Sequence, residues 1–459
     1  MLSTLIWFVA SMMAAFSAIV TSIYNKLRAT VILIILSTLL GILGYKGGSY
    51  CYYWLKQLGL PMCIAVDGAS VLLVLLSGIV SAAALVAARM LNEEREQLGL
   101  AITSIHFTMI GLAYAYSLPL FYIFWELMLL ASSFLVYLWD KRIAIQFFIY
   151  MHAGSLLLLV AMGILASEKA TIFGSSVLGT GYGLIAFSLI LVAFAIKLGV
   201  FPFHTWLPRT YTSLPGSSAA VISGIVTSAG AYGLYRLLHG IKWLNLPQSV
   251  AFTGFWLGAT SAIVGALAAL LARRLGFIAS YSSISHGGFM YAGLVSLSRL
   301  AAAGALYIMF AHGIVKPLFF LLASILAKQA GSDDIRDMGL YAKTMPLTAF
   351  IGFVTALSLA GAPVFALFPG EITVIIALAE AALNPIAVAI LVTALFLAAA
   401  YALRYWLRVF WRPVVMVPRR LPSEPPRRLL LVPLTLAIIA IVAGVLPAPI
   451  FSLLGAMLP

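Results

Sequence analysis

The sequence predicts an all-α polytopic membrane protein of about fourteen transmembrane helices, with two inverted five-helix repeats and two discontinuous helices. Three observations lead there. The 459 residues are 63% hydrophobic and only 9% charged, which excludes a soluble globule. Apolar stretches of about 18 residues or more recur from end to end, each able to cross a hydrocarbon core of about 30 Å. Two of them are broken by Gly and Pro beside an ionisable residue, in corresponding parts of the chain.

The first three spans, near 2–22, 28–45 and 63–88, form an N-terminal segment over 1–97. The first lacks a basic leader and a small-residue cleavage site, so it reads as a span rather than a signal peptide. The third opens at Asp67-Gly68, where capping and the helix dipole account for the carboxylate. Glu93, Glu94 and Glu96, interleaved with Arg89 and Arg95, read as a solvated loop. The first repeat, 98–238, holds spans near 98–116, 119–139, 143–165, 180–213 and 217–238. The second, 250–410, holds 250–271, 277–296, 300–327, 346–383 and 386–410, and a last span covers 429–456. The longest polar connectors, 327–345 and 411–428, are too short for an extramembrane domain.

A net charge of +14 does not mark a nucleic-acid binder, because of where it lies. With an even number of spans both termini share one side. Loops on the opposite side carry eighteen Lys and Arg, including Arg419 and Arg420. The terminus-side loops carry six: Lys46, Lys56, Lys169, Arg236, Lys242 and Arg299. That is the positive-inside bias of a plasma-membrane protein, with both termini outside the cytoplasm. Cys51 and Cys63 flank an outer loop, and the sequence leaves their pairing open. Scarce Asn and Gln point to a thermophile.

Glu126, Lys197 and Glu371 lie inside the apolar runs. A charge at mid-bilayer costs about 2.5–3.5 kcal/mol on insertion scales, so such groups face protein or a wet cavity. Lys197 precedes a break at Gly199, Pro202 and Pro208, with His204 inside it; Glu371 follows a break at Gly361, Pro363 and Pro369. Proline removes a backbone donor, and non-helical backbone at membrane depth is tolerated only in protein or beside water. A packing kink explains either break alone. Two breaks with a charge at each edge point to an ion pathway. His312 and Lys316 fall at i and i+4 on one helical face.

At these residues the chain resembles the antiporter-like membrane subunits of respiratory complex I, archaeal membrane-bound hydrogenases and sulfane reductases, and Mrp-type cation/proton antiporters. The likeness rests on Val66-Asp67-Gly68-Ala-Ser70, Phe124-Trp125-Glu126, Phe201-Pro-Phe-His204-Thr-Trp-Leu-Pro208 and Ser223-Gly224 through Arg236. It continues with Tyr281-Ser-Ser-Ile-Ser-His286, His312-Gly-Ile-Val-Lys316 and Phe368-Pro-Gly-Glu371. The resemblance implies a gating ion pair between Glu126 and Lys197, a terminal proton donor or acceptor at Glu371, and a relay through His312 and Lys316 between them. It also implies partner subunits, both antiporter-like and small and hydrophobic, with a peripheral redox arm. Iron–sulfur or nickel–iron centres would then sit in those partners. This chain shows no cofactor or metal ligands of its own, and H⁺ or Na⁺ is the cargo. An archaeal source is the corresponding expectation.

The chain departs from that pattern. Ser228 stands where many members carry Lys in the eighth helix, Tyr211 replaces a histidine, and Arg274-Leu-Gly276 replaces an Asp-x-Lys. A hydroxyl holds water but carries no proton charge near neutral pH. Three functions remain open: a proton- or cation-moving module of a complex-I-like enzyme, a Mrp-type antiporter subunit without redox chemistry, or a non-transporting structural member. Among the histidines, His106 reads as packing and His152 as a satisfied core residue, while His286 fits core and relay equally. Arg404 either snorkels or meets Glu380, and Asp333-Asp334-Ile-Arg336-Asp337 reads as a subunit contact.

Overall fold

A computed structural model describes residues 2–45, 47–55, 57, 60–380, 385–413 and 422–455. Lys46, Lys56, Arg419 and Arg420, counted above, lie outside the described residues. The helices are α1 (Leu2–Ile23), α2 (Leu27–Leu43), α3 (Gly68–Met90), α4 (Leu98–Tyr114), α5 (Leu118–Tyr137), α6 (Lys141–Ser167) and α7 (Tyr182–Leu198). Next come α8 (Trp206–Ser213), α9 (Gly216–Val221), α10 (Thr227–His239), α11 (Gln248–Leu271), α12 (Leu275–Val295) and α13 (Arg299–Ala330). The last are α14 (Tyr341–Thr344), α15 (Pro346–Leu359), α16 (Phe368–Glu380), α17 (Pro385–Trp406), α18 (Arg427–Val445) and α19 (Ala448–Leu453). A π-helical turn, Ile222–Val226, joins α9 to α10, and another, Leu407–Trp411, extends α17. Among the described residues, nine helices are long and apolar enough to cross a membrane, and four more are shorter and apolar.

The two interruptions fall where Gly and Pro place them. α7 stops at Gly199, whose φ of +66° suits glycine, and the chain restarts at Trp206. Trp206 Nε1 donates to Ile196 O at 2.9 Å and Phe201 N to Ser261 Oγ at 3.1 Å, so the break is bonded within protein. α15 ends before Gly361, at φ +59°, and α16 starts at Phe368.

α13 is the axle. Its apolar window is 94% buried, against 22% for α1, and it packs on α3, α9, α10, α12, α15, α16 and α18. His312 and Lys316, in the middle of α13, are therefore interior. α11 and α12 meet backbone to backbone. A Cβ on Gly258, Gly265 or Gly288 would lie within 2.4–2.7 Å of the facing Ala292, Ser285 or Ala262 amide nitrogen. Only glycine allows that approach, as in small-residue helix seams of membrane proteins.

The all-α expectation needs one correction. Strands β1 (Tyr50–Leu55) and β2 (Leu60–Ile64) form an antiparallel hairpin, and β3 (Ser176–Leu178) pairs in parallel with β4 (Lys242–Leu244). These connectors lie at one end of the bundle, stitched by the bridges Ile64–Ala115 and Ser117–Ile172. β-branched and aromatic residues, as in the Tyr50–Leu55 run, favour strands where no helix partner is offered. A disulfide joins Cys51 to Cys63 across the hairpin.

The opposite end is held by charge. Glu93 is buried, not solvated: it accepts from Ser217 N at 2.9 Å and Ser324 Oγ at 2.8 Å, with Lys328 Nζ 3.9 Å away. It caps α9, whose first amides have no partner within the helix. Glu424 does the same for α15 through Leu347 N and Thr348 N. Arg404 donates to Ala272 O at 2.7 Å rather than meeting Glu380. The Asp333–Asp337 loop folds onto the α11–α12 turn through Arg274. At the β end, Arg236 is no loop cation. It is buried and forks onto Asp67 at 2.5 and 3.0 Å, with Ser70 and Tyr232 as further partners.

Candidate functional site

Four of the expected residues meet around α12 and α13. His312 and Lys316 project from the middle of α13, one turn apart, and neither is exposed. Lys316 Nζ donates to Ala279 O at 3.1 Å and to Ser282 Oγ. Ser282 and His286 stand at i and i+4 on α12, so one face of α12 carries both. The His286 and His312 rings are 5.9 Å apart and tilted by 67°. His286 Nε2 lies 3.4 Å from Glu371 Oε1, with both side chains fully buried.

Glu371 occupies the first turn of α16, directly after the break. Its carboxylate fills the space above Gly361: a Cβ there would sit 2.1 Å from Oε2. The broken segment thus cradles the carboxylate. Among the described residues, both nitrogens of His286 and His312, and both oxygens of Glu371, have no hydrogen-bond partner. Buried polar groups in that state imply water or exchanging partners. The row is a set of neighbouring titratable groups, Glu371, His286 and His312, with Lys316 one turn along α13.

The other half is arranged differently from expectation. Lys197 is buried in the last turn of α7, its Nζ 5.1 Å from the Trp125 ring and, among the described residues, without a hydrogen-bond acceptor. Its stem packs on Gly230 of α10. No salt bridge joins it to Glu126. Successive helical residues point about 100° apart, and Trp125 takes the inward position. Glu126 turns instead toward α6, where it accepts from Ser155 Oγ and lies 3.7 Å from His152 Nδ1.

His152 is accordingly no core histidine: its side chain is 39% exposed and stacks on Phe148. His106 is satisfied on both nitrogens, by Ser37 at 2.9 Å and Ser77 at 2.8 Å. His204 is half-buried in the first break, with Nδ1 unpartnered and its ring 5.5 Å from Phe201. Ser228 Oγ is committed to backbone, donating to Gly224 O at 2.7 Å with Met309 O at 3.3 Å. It does not join the α12–α13 cluster. Sequence reasoning missed Ser282 and Ser155, which bind Lys316 and Glu126, although Ser282 and His286 share helical spacing.

Comparison with known proteins fits this geometry. Residues 115–397 match the NADH:quinone oxidoreductase/Mrp antiporter transmembrane family. The chain belongs to that family. A NAD(P)H-quinone oxidoreductase chain 4 from a Synechococcus sp. strain is 32% identical over 71% of this chain, which spans 64% of that relative's length. NADH-quinone oxidoreductase subunit M of Pseudomonas aeruginosa is 29% identical over 88% of this chain and 82% of its own. Both relatives are bacterial and give no support to an archaeal or thermophilic origin. Solved structures share the fold. A chain of the Mrp complex from Dietzia sp. has a TM-score of 0.84 at 18% identity, covering 99% of this chain and 96% of that one. A chain of respiratory complex I from Thermus thermophilus has a TM-score of 0.83 at 24% identity, covering 99% and 97%. A chain of an archaeal membrane-bound sulfane sulfur reductase scores 0.83 at 23%, covering 97% and 77%. In this family member the fold is that of antiporter-like membrane chains. Among the described residues no group of His, Cys, Asp and Glu is placed to hold a metal ion.

Proposed function

We propose that this subunit moves protons along a buried polar axis, driven by redox chemistry in partner subunits. The observation that carries this is the contiguous row Glu371–His286–His312, continued by Lys316 on the same face of α13 and bonded to Ser282. In the proposed topology the chain crosses fourteen times, and 98–238 and 250–410 are inverted repeats, with Lys197 and Glu371 at equivalent breaks. Both termini lie outside the cytoplasm. The Cys51–Cys63 disulfide, at the end where Thr4 bonds Gly48, supports that orientation, since disulfides persist in oxidising compartments.

Glu126 and His152 are partly exposed within spans, so the proposed neighbour on the α5–α6 face is another membrane subunit, not lipid. Lys316→Met tests the function. In vesicles carrying the intact complex, proton translocation should vanish while subunit composition stays unchanged; translocation at the wild-type rate would refute it.

One observation favours a structural, non-transporting role instead: Ser228 spends its hydroxyl on backbone, and among the described residues no side chain hydrogen-bonds to Lys197 Nζ or to His312. The same variant decides, because a scaffold tolerates it. Copurification of redox subunits separates a respiratory complex from a Mrp-type antiporter.

A further inference from the structure

At the charged end, a cavity of about 440 Å³ opens beside the π-helical end of α17. Four arginines line it: Arg336, Arg404, Arg408 and Arg412. Their own counter-charges are few. Arg336 is paired with Asp334 at 2.7 Å, and Arg404 has one N–H on Ala272 O. Among the described residues, Arg408 and Arg412 meet no carboxylate within salt-bridge distance. Positive charge therefore converges on the hollow.

The other wall is apolar and outward-facing. Ala400 and Leu403 line the cavity, and Phe396 continues the same helical face toward the membrane centre, 73% exposed. A basic hollow thus caps an open hydrocarbon-facing stripe. Arg404, Arg408 and Arg412 recur every fourth residue, and the wider π turn keeps that spacing near one face. Soluble anions need only the hollow; the adjoining stripe adds a place for acyl chains.

We propose that this cavity binds the phosphate headgroup of an anionic phospholipid whose chains lie along Phe396, Ala400 and Leu403. Basic pockets between helices at the cytoplasmic surface suit such headgroups. The proposal is independent of whether the subunit transports protons.

The test titrates the detergent-purified, delipidated complex with phosphatidylglycerol and counts retained lipid by native mass spectrometry. Arg408→Ala/Arg412→Ala should weaken retention about thirtyfold, the effect of two interfacial arginine charges. Arg28→Ala, an exposed arginine elsewhere, should leave it unchanged. Ala400→Trp keeps every charge but fills the hollow and should also release the lipid. Wild-type retention in either cavity variant, or an equal loss in Arg28→Ala, overturns the proposal. So does equal competition by inorganic phosphate in wild type, which would assign the hollow to a soluble anion.

Discussion

Replacing Glu371 with Gln keeps the shape of the side chain and removes its charge. Between a protonated His286 and an ionised Glu371, 3.4 Å apart, the attraction is about 5 kcal/mol at an effective dielectric near 20. A membrane potential of 100 mV does about 2.3 kcal/mol of work on one charge. The attraction within the pair is therefore about twice the work of an ordinary membrane potential, before the cost of desolvating both charges is set against it. Loss of the carboxylate removes both the trap and the release step. With intact complex in liposomes, a valinomycin-imposed potential and a pH-sensitive dye, Glu371→Gln should slow proton uptake about a hundredfold, the scale of losing one positioned proton carrier. Uptake above half the wild-type rate, with all subunits present, would refute the pathway through Glu371.

Gly361→Ala should cost about 1–2 kcal/mol for its left-handed backbone and also displace the Glu371 carboxylate. Gly331→Ala, at φ +71° with open space around it, carries the backbone cost alone. Both should lower thermal stability in detergent, but only the first should lose transport. A membrane-impermeant phosphine added to right-side-out cells should free Cys51 and Cys63 for maleimide labelling; labelling only after permeabilisation would invert the proposed topology. In the loop, hydrogen bonding from Arg336 holds the Asp334 carboxyl below its ordinary value of 3.8. That contribution is present above 3.8 and is lost as pH falls through the lower folded value. Amide protection factors at Ile335 and Asp337, corrected for the intrinsic pH dependence of exchange, should thus fall on acidification, and Asp334→Asn should show no such fall.

The broken helices were legible because Gly and Pro act locally, and His312 with Lys316 because helical spacing is local too. The missing Glu126–Lys197 bridge was not. It depends on which of two adjacent residues, Trp125 or Glu126, turns inward, and the packing of α6 and α7 decides that. Glu93 looked like one more charge in a polar loop. Its partners, Ser217 and Ser324, lie 124 and 231 residues away, beyond any pattern in the sequence. The hairpin at Tyr50–Leu55 had a signal, a run of strand-forming aromatics, but a membrane reading absorbs such runs into connectors.

The glycine seam between α11 and α12 has an effect on chemistry as well as on shape. Because Gly265 meets the Ser285 amide directly, and Ser285 Oγ donates to Ala262 O at 2.8 Å, the backbone that presents His286 is fixed by the seam itself. The imidazole hangs from a rail that owes nothing to its own bonds. Such a site can exchange one titrating group for another, here or in a sister subunit, while the spacing of its neighbours survives. Chemical diversity then comes at small architectural cost.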